Sequence, residues 1–258
     1  AADMLELTTD VPRQSQSFPA FLADEKSAVA DLPVEQRLSA VLRYLASPMR
    51  YEPMNTPDVH YPVSSFGGLF SCGIKLIRLS TSGEGVDVFH YHANYHSLEK
   101  LHTNVALDIE LQPAELLIGV VGHYWAVGRK YGEYAPFGVV LDSGIVFAQT
   151  NYLLQLFGLP FSTEGIELGP LNDCLVPQGS CQQTLSAIKV QLPDSEQTIF
   201  NVPTRQQHIA IWQEPEGLFE RFANLQQMVD LLADPYQGNS KSIAKPYELP
   251  EGLICLLY

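Results

Sequence analysis

The feature that most restricts this chain is a long apolar run bracketed by helix punctuation. From Phe137 to Phe157 one charged side chain appears, Asp142; Pro136 stands just before the run, and Gly158 and Pro160 close it. Apolar residues fall on nearly every face of a helix wound through this run, which predicts a buried helix rather than a half-exposed one. Pro136 suits a first helical turn, Gly158 suits the left-handed position just past the end, and Pro160 blocks continuation. A buried strand is the rival reading for a short apolar run, but this run is too long for one strand.

A polar segment, Arg129 to Tyr134, feeds the helix and carries two adjacent ionisable side chains, Lys130 and Tyr131. A lysine shielded from water can lose its proton near neutral pH, and a neighbouring tyrosine can share or relay it. The same dipeptide is ordinary on a solvated surface, so its meaning depends on context.

Composition narrows the field. Of the 258 residues, 46% are apolar and 17% charged, enough for a substantial core and too little charge for long disordered tails. A formal charge of −14 argues against a surface that tracks a phosphate backbone, so nucleic acid is not an expected partner. Cys72, Cys174, Cys181 and Cys255 show no CxxC spacing. Reduced thiols in a cytoplasmic protein are expected, with a Cys174–Cys181 disulfide as the alternative. No apolar segment reads as long enough to span a bilayer, and the N-terminus lacks a signal-peptide pattern.

In chain order, residues 1–32 are expected to form an extended arm around Arg13, Ser15 and Phe18, in which an arginine among hydroxyls can hold a phosphate. Val34, Leu38, Val41, Leu42 and Leu45 then share one helical stripe, with Arg37 and Arg43 on the wet side. A loop with four prolines runs from Ser47 to Pro62 into Val63-Ser64-Ser65-Phe66-Gly67-Gly68-Leu69-Phe70, whose glycines let backbone approach a flat or anionic ligand. Ile74–Leu79 and Val86–Tyr91 alternate around a Gly-rich turn and predict a β-hairpin, followed by a turn and a short helix from His92 to Leu101.

His90 and His92 stand on one face of that hairpin's second strand, close to His96 and Glu99, and this spacing is similar to the first metal-binding motif of the cupin family. A cupin needs a second histidine-bearing strand, which His102, His123 and His208 do not supply, so no metal is expected. Leu116–Gly122 predicts a central strand. Beyond Pro160 the pattern gives a strand at Leu185–Leu192, another at Ile209–Trp212, a helix carrying Leu218 to Leu232, a polar crossing from Ala233, and an apolar strand at Leu253–Tyr258. Such a terminal strand must be buried, and exchange into a second subunit's sheet is the expected solution, with pairing inside its own chain as the alternative.

Taken together, these stretches resemble the FMN-dependent dehydrogenases that oxidise thiazoline and oxazoline rings in peptide natural products, a branch of the nitroreductase-like superfamily. Arg13-Gln14-Ser15-Gln16-Ser17-Phe18 is similar to that family's Arg-x-Ser-x-x-Phe, Ser64 to Ser71 to its Pro-Ser-Gly-Gly-Ala-Leu-Tyr-Pro, Val88 to Glu99 to its Tyr-Tyr-Tyr-x-Pro…His-x-Leu-Glu, and Lys130-Tyr131 to its Lys-Tyr pair. Leu141-Asp142-Ser143-Gly144 matches the Leu-Glu-x-Gly that opens the family's core helix. The match runs from about Arg13 to Pro160. It departs at Asp142 for Glu, at Ala148 with Gln149 one place on, at Phe66 for Gly, and at Phe70-Ser71 for Tyr-Pro.

The resemblance implies an α+β fold: a central, mostly antiparallel sheet flanked by helices, forming a single domain over 1–258 with an arm at 1–32 and an extension at 233–258. It further implies FMN, held by Arg13, Ser15, Ser64, Ser65, Phe66, Gly67 and Gln149, with Lys130 and Tyr131 as the catalytic pair and the hairpin histidines as structural. Beyond Pro160 the resemblance supplies no match and no late basic residue for the phosphate, for which Lys189 and Arg205 are candidates by charge alone. The implied partners are a peptide substrate, on a ribosomal leader or a carrier protein, a second copy in a homodimer, and a cyclodehydratase or synthetase. A docking subunit without flavin chemistry is one alternative; a flavin enzyme acting on nitro or quinone compounds, or desaturating a peptide, is another.

Overall fold

A computed structural model of the chain describes residues 5–6, 32–48, 50–51, 59–81, 85–94 and 96–192. Most of the N-terminal arm, including Arg13 and Ser15, as well as Arg205, the strand expected at 209–212, the helix expected at 218–232 and the C-terminal extension, lies outside the described residues, whereas Leu5–Glu6 of the arm pairs into the sheet. Seven strands pair antiparallel in one sheet, in the order β1-β6-β5-β4-β7-β9-β8. They are β1 (Leu5–Glu6), β4 (Cys72–Leu79), β5 (Val86–His92), β6 (Ser97–Val105), β7 (Glu115–His123), β8 (Phe161–Ser162) and β9 (Gln182–Gln191). The short strands β2 (Arg50–Tyr51) and β3 (Val59–His60) pair separately.

The β4–β5 hairpin and the central position of β7 agree with the sequence pattern. The short helix expected around Leu98 does not form, because Ser97–Val105 pairs with β5 and places Leu98 opposite Tyr91. A ladder that also buries Leu98 outweighs the helical preference of Leu-Glu-Lys-Leu. His96 makes the turn at φ 47° and lies buried. Its ring is hydrogen-bonded to Ser39 Oγ at 2.9 Å and to the Tyr91 hydroxyl at 2.7 Å, and Tyr91 to Ser47 Oγ at 2.6 Å. This chain of four side chains ties α1 (Val34–Ala46) to the hairpin and gives His96 a structural place.

One sheet face packs against α1 and α3 (Ala135–Leu156) through Leu38, Leu42 and Leu45, Ile74, Leu76 and Ile118, and Val146, Leu153 and Phe157. Burying each such side chain contributes about 1.5–3 kcal/mol. Arg37 is not on the wet side of α1. It donates to the Phe157 and Gly158 carbonyls at 3.3 and 3.1 Å, capping the end of α3 beside Gly158, which takes the expected left-handed conformation at φ 61°.

The core helix differs from expectation in one respect. It is buried along one side only: Phe137 is 59% exposed, Leu141 44% and Tyr152 49%, with Val140 and Ile145 exposed beside them. With α2 (Tyr124–Tyr131) and the turn Gly132–Tyr134 it forms a helical stretch of 33 residues, Tyr124–Leu156, long and apolar enough to cross a membrane, contrary to the sequence reading. Its inner side carries the buried Asp142 and Thr150 and packs on the sheet.

The opposite sheet face is covered by α4 (Leu168–Leu175), an element the sequence reading did not include. Leu171 and Leu175 pack on Ile77, Val88, Leu117 and Val121. A third cluster of Tyr124, Val127, Ala135 and Val139 fills the corner beneath Phe66 and Tyr131.

Candidate active site

The site is built on the loop between β3 and β4. Phe66–Gly68 makes a 3₁₀ turn with Gly67 at φ 62°, closed by Gly68 N–H to the Ser65 carbonyl at 3.1 Å. A side chain at Gly67 would run into the Tyr131 phenol, so glycine is required there by both backbone and space. Asp142, from α3, organises the loop. Its carboxylate accepts the Ser65 hydroxyl at 2.9 Å, the Phe66 amide at 2.5 Å and the Ser71 hydroxyl at 2.7 Å, while Ser65 Oγ in turn accepts the Phe70 amide at 2.7 Å. Burial, with Asp142 nearby, pushes the neighbouring Cys72 thiol up to about 12.

The Lys130–Tyr131 pair lies at the end of α2 and meets this loop. Lys130 Nζ donates to the Gly67 carbonyl at 3.4 Å and stands 5.0 Å from the centre of the Tyr131 ring. Tyr131 meets Phe66 edge-on at 4.7 Å, and Phe66 packs over Gly138 and meets Phe137 at 6.4 Å. Lys130 is exposed and Tyr131 half-buried.

A cavity of about 990 Å³ opens beside the loop. Ser64 and Ser65 line it, with Phe70, Ser71, Asp142 and, from α2, Trp125 and Arg129. Phe66, Gly67, Lys130 and Tyr131 form a cluster off the cavity wall, and Gln149 stands half-buried farther along α3. Lys189 is far from the loop: it pairs across from Leu117 and donates to the Glu110 carbonyl at 3.3 Å.

The cavity continues along the face of the sheet under α4, where it is lined by Lys75, His90, His92, Glu99, His123 and Cys174. Burial, then mutual repulsion among Lys75, His90 and neighbouring imidazoles, holds His90 and His123 down to about 4, and burial holds Lys75 down to about 8. Lys75 and His123 were not singled out from sequence. The signal was present in the hairpin itself, because Lys75 alternates into the same face as His90 and His92 once the two strands are paired.

Among the described residues no group of three or more His, Cys, Asp or Glu side chains is arranged to hold a metal ion, and Cys174 and Cys181 are free thiols. The cavity is large enough for a flavin mononucleotide, at the upper end of small-molecule pockets, with apolar surface at Val63, Leu69, Phe70 and Trp125 and cations at Arg129 and Lys75; of the described residues expected to hold that group, Ser64 and Ser65 line it and Phe66, Gly67 and Gln149 do not.

No family model and no curated protein matches the sequence. Solved structures do. A nitroreductase-type protein from Anabaena variabilis shares 14% identity at a TM-score of 0.52, covering 75% of this chain and 40% of its own. One from Ralstonia eutropha shares 12% identity at 0.50, covering 73% of this chain and 88% of its own. The fold is nitroreductase-like. A chain of the E. coli microcin synthetase McbBCD complex, with truncated pro-MccB17 bound, aligns at a TM-score of 0.47 and 16% identity over 60% of this chain and 62% of its own. This chain thus spans well under half of the Anabaena protein's length.

Proposed function

We propose that the chain is an FMN-dependent oxidoreductase that dehydrogenates thiazoline or oxazoline rings within a peptide to thiazole or oxazole. The observation that carries this reading is the meeting of two motifs 63 residues apart: the Gly67 loop and the Lys130–Tyr131 pair are in direct contact. The sequence resemblance joined them by order alone; the nitroreductase-like fold brings them to one place.

In this reading Ser64, Ser65, Phe66 and Gly67 seat the flavin ring with a contribution from Gln149, and Arg13 and Ser15 hold its phosphate. Bound flavin supplies a hydride acceptor. Aromatising an azoline also releases a ring proton, which Lys130 or Tyr131 accepts, Lys130 Nζ being anchored at Gly67 and Tyr131 wedged against Phe66. Asp142 acts one step back, as a positioning residue for the loop.

The partner reading is a second copy of the chain. The exposed stripe of α3, from Phe137 through Leu141 and Ile145 to Tyr152, begins beside Phe66, so a copy packed along it would border the site. Gly144, with nothing within 4 Å of where its Cβ would stand, lets a second helix approach closely. A peptide on a ribosomal leader or a carrier protein, delivered in the cytoplasm by a cyclodehydratase or synthetase, completes the assignment.

A docking subunit without flavin chemistry is the second reading, favoured by one feature: the spaces at Gly67 and Gly138 are already filled by Tyr131 and Phe66. The two separate on simple observations. An enzyme is yellow, releases FMN rather than FAD on denaturation, and is bleached anaerobically by an azoline peptide. With Lys130→Ala or Tyr131→Phe, FMN stays bound and bleaching slows by roughly 10²–10⁴-fold, and the double variant is little worse than the poorer single one. A colourless protein that takes up no added FMN establishes the docking reading instead.

A further inference from the structure

The sheet face beneath α4 is apolar over most of its area but turns basic at the end nearest the loop. The change follows from register: Lys75 of β4 pairs with His90 of β5, and His90 with Glu99 of β6, so the three stand side by side on one face, with His92 one alternation along. His123 joins them from the end of β7. Its ring lies over Gly73, where a Cβ would come within 2.9 Å of Nε2, so a glycine on β4 makes the room that the imidazole occupies. All of these groups line the cavity.

Packing explains one of them. Lys75 donates to the Leu175 carbonyl at the C-terminal end of α4, a favourable place for a cation. It does not explain the imidazoles. His90 has the Ile74 backbone, but the His123 ring has no hydrogen-bond partner among the described residues. Valine or leucine at these positions would extend the Ile77–Val121 cluster without the cost of enclosing polar groups. The charges facing the cluster are few. From α4, Cys174 faces Lys75, and burial raises its thiol to about 11, leaving it neutral near pH 7. From β6, Glu99 is the acid that faces His90, and Asp173 of α4 also lines the cavity. On the β7 side the charged and titratable groups that act on His123 are Lys75 and His90, both bases.

We infer that this arm of the cavity receives an oxyanion, a carboxylate or a phosphate, held by Lys75 together with the imidazoles of His90 and His123. An anion there gives Lys75 a counter-charge, accepts hydrogen bonds from the imidazole N–H groups, and draws protons onto the imidazoles as it binds. The two sources on offer are the phosphate of a flavin nucleotide and a carboxylate of a peptide. The inference does not depend on ring oxidation and is tested without it.

The test follows the histidine Cε1–H resonances of the full chain by NMR through a pH titration, with His90→Asn and His123→Asn providing the assignments. In the absence of anions the two resonances titrate near pH 4. Formate, as the carboxylate probe, and inorganic phosphate should each raise both midpoints by about one unit, an increase of roughly tenfold in proton affinity. Lys75→Met should abolish that rise while the amide spectrum stays dispersed; should that variant fail to fold, Lys75→Arg should keep the rise and His123→Asn should weaken it at His90. FMN acting where riboflavin does not assigns the site to the nucleotide's phosphate; formate acting where FMN does not assigns it to a carboxylate. Midpoints unmoved by formate and phosphate, or moved equally by FMN and riboflavin while the simple anions do nothing, overturn the inference.

Discussion

Ser65 and Asp142, 77 residues apart in the chain, are joined by a hydrogen bond of 2.9 Å from the serine hydroxyl to the carboxylate. Because the same carboxylate also accepts from the Phe66 amide and the Ser71 hydroxyl, the core helix helps to hold the shape that Gly67 and Ser65 give the loop. Two departures from the azoline-dehydrogenase pattern become one here. A proline at 71 could offer neither hydroxyl nor amide, whereas Ser71 directs both toward Asp142, the hydroxyl at 2.7 Å and the amide at 3.5 Å.

Removing that anchor should therefore be expensive. Asp142→Ala leaves two hydroxyls and two amides without their acceptor and should cost roughly 3–5 kcal/mol, while Asp142→Asn, which keeps one carbonyl oxygen, should cost about half as much. Urea unfolding of the two variants measures this; a loss under 1 kcal/mol for Asp142→Ala would show that the loop holds itself.

Stability should decline in mild acid. Burial holds His90, His96 and His123 down to about 4, below their ordinary 6.5, so the unfolded chain takes up protons that the folded one refuses. Their contribution is complete above pH 6.5 and is lost as pH falls from there to about 4. Urea midpoints recorded across that window should drop steadily, and His123→Gln should flatten the slope. An unchanged midpoint between pH 6.5 and 4 contradicts the burial of these rings.

Charge placed on the outer side of α3 should act on association and not on folding. Leu141→Glu and Ile145→Glu stand at exposed positions, so each should leave the unfolding free energy of the separated chain within about 0.5 kcal/mol. If a second copy covers the stripe, light scattering should report a dimer for the parent protein and a monomer for either variant. A parent protein that is monomeric at working concentration removes the dimer from the account.

The parts of this architecture that were legible in sequence are those whose signal is local. The run ending at Gly158-Pro160 announces α3, and the alternation on either side of Gly85 announces the β4–β5 hairpin. What escaped depends on distant contacts. Leu98-Glu99-Lys100-Leu101 prefers a helix by itself and becomes a strand because Tyr91 and Leu98 meet across the sheet. Helix α4 buries only Leu171 and Leu175 over eight residues, too little for a periodic pattern to stand out. In the candidate site, Ser65 and the Lys130–Tyr131 pair could be named from motif order, but the grouping of Lys75 with His90 and His123 exists only once three strands are in register.

The uncovered stripe of α3 also determines what kind of quantity this protein's stability is. If a second copy covers Phe137, Leu141, Ile145 and Tyr152, it recognises the folded chain and not the unfolded one. Its binding free energy therefore adds to the folding free energy in proportion to the logarithm of its concentration. A melting temperature for this chain then carries meaning only when the concentration of that cover is stated beside it, and dilution acts on the fold as a mild denaturant would.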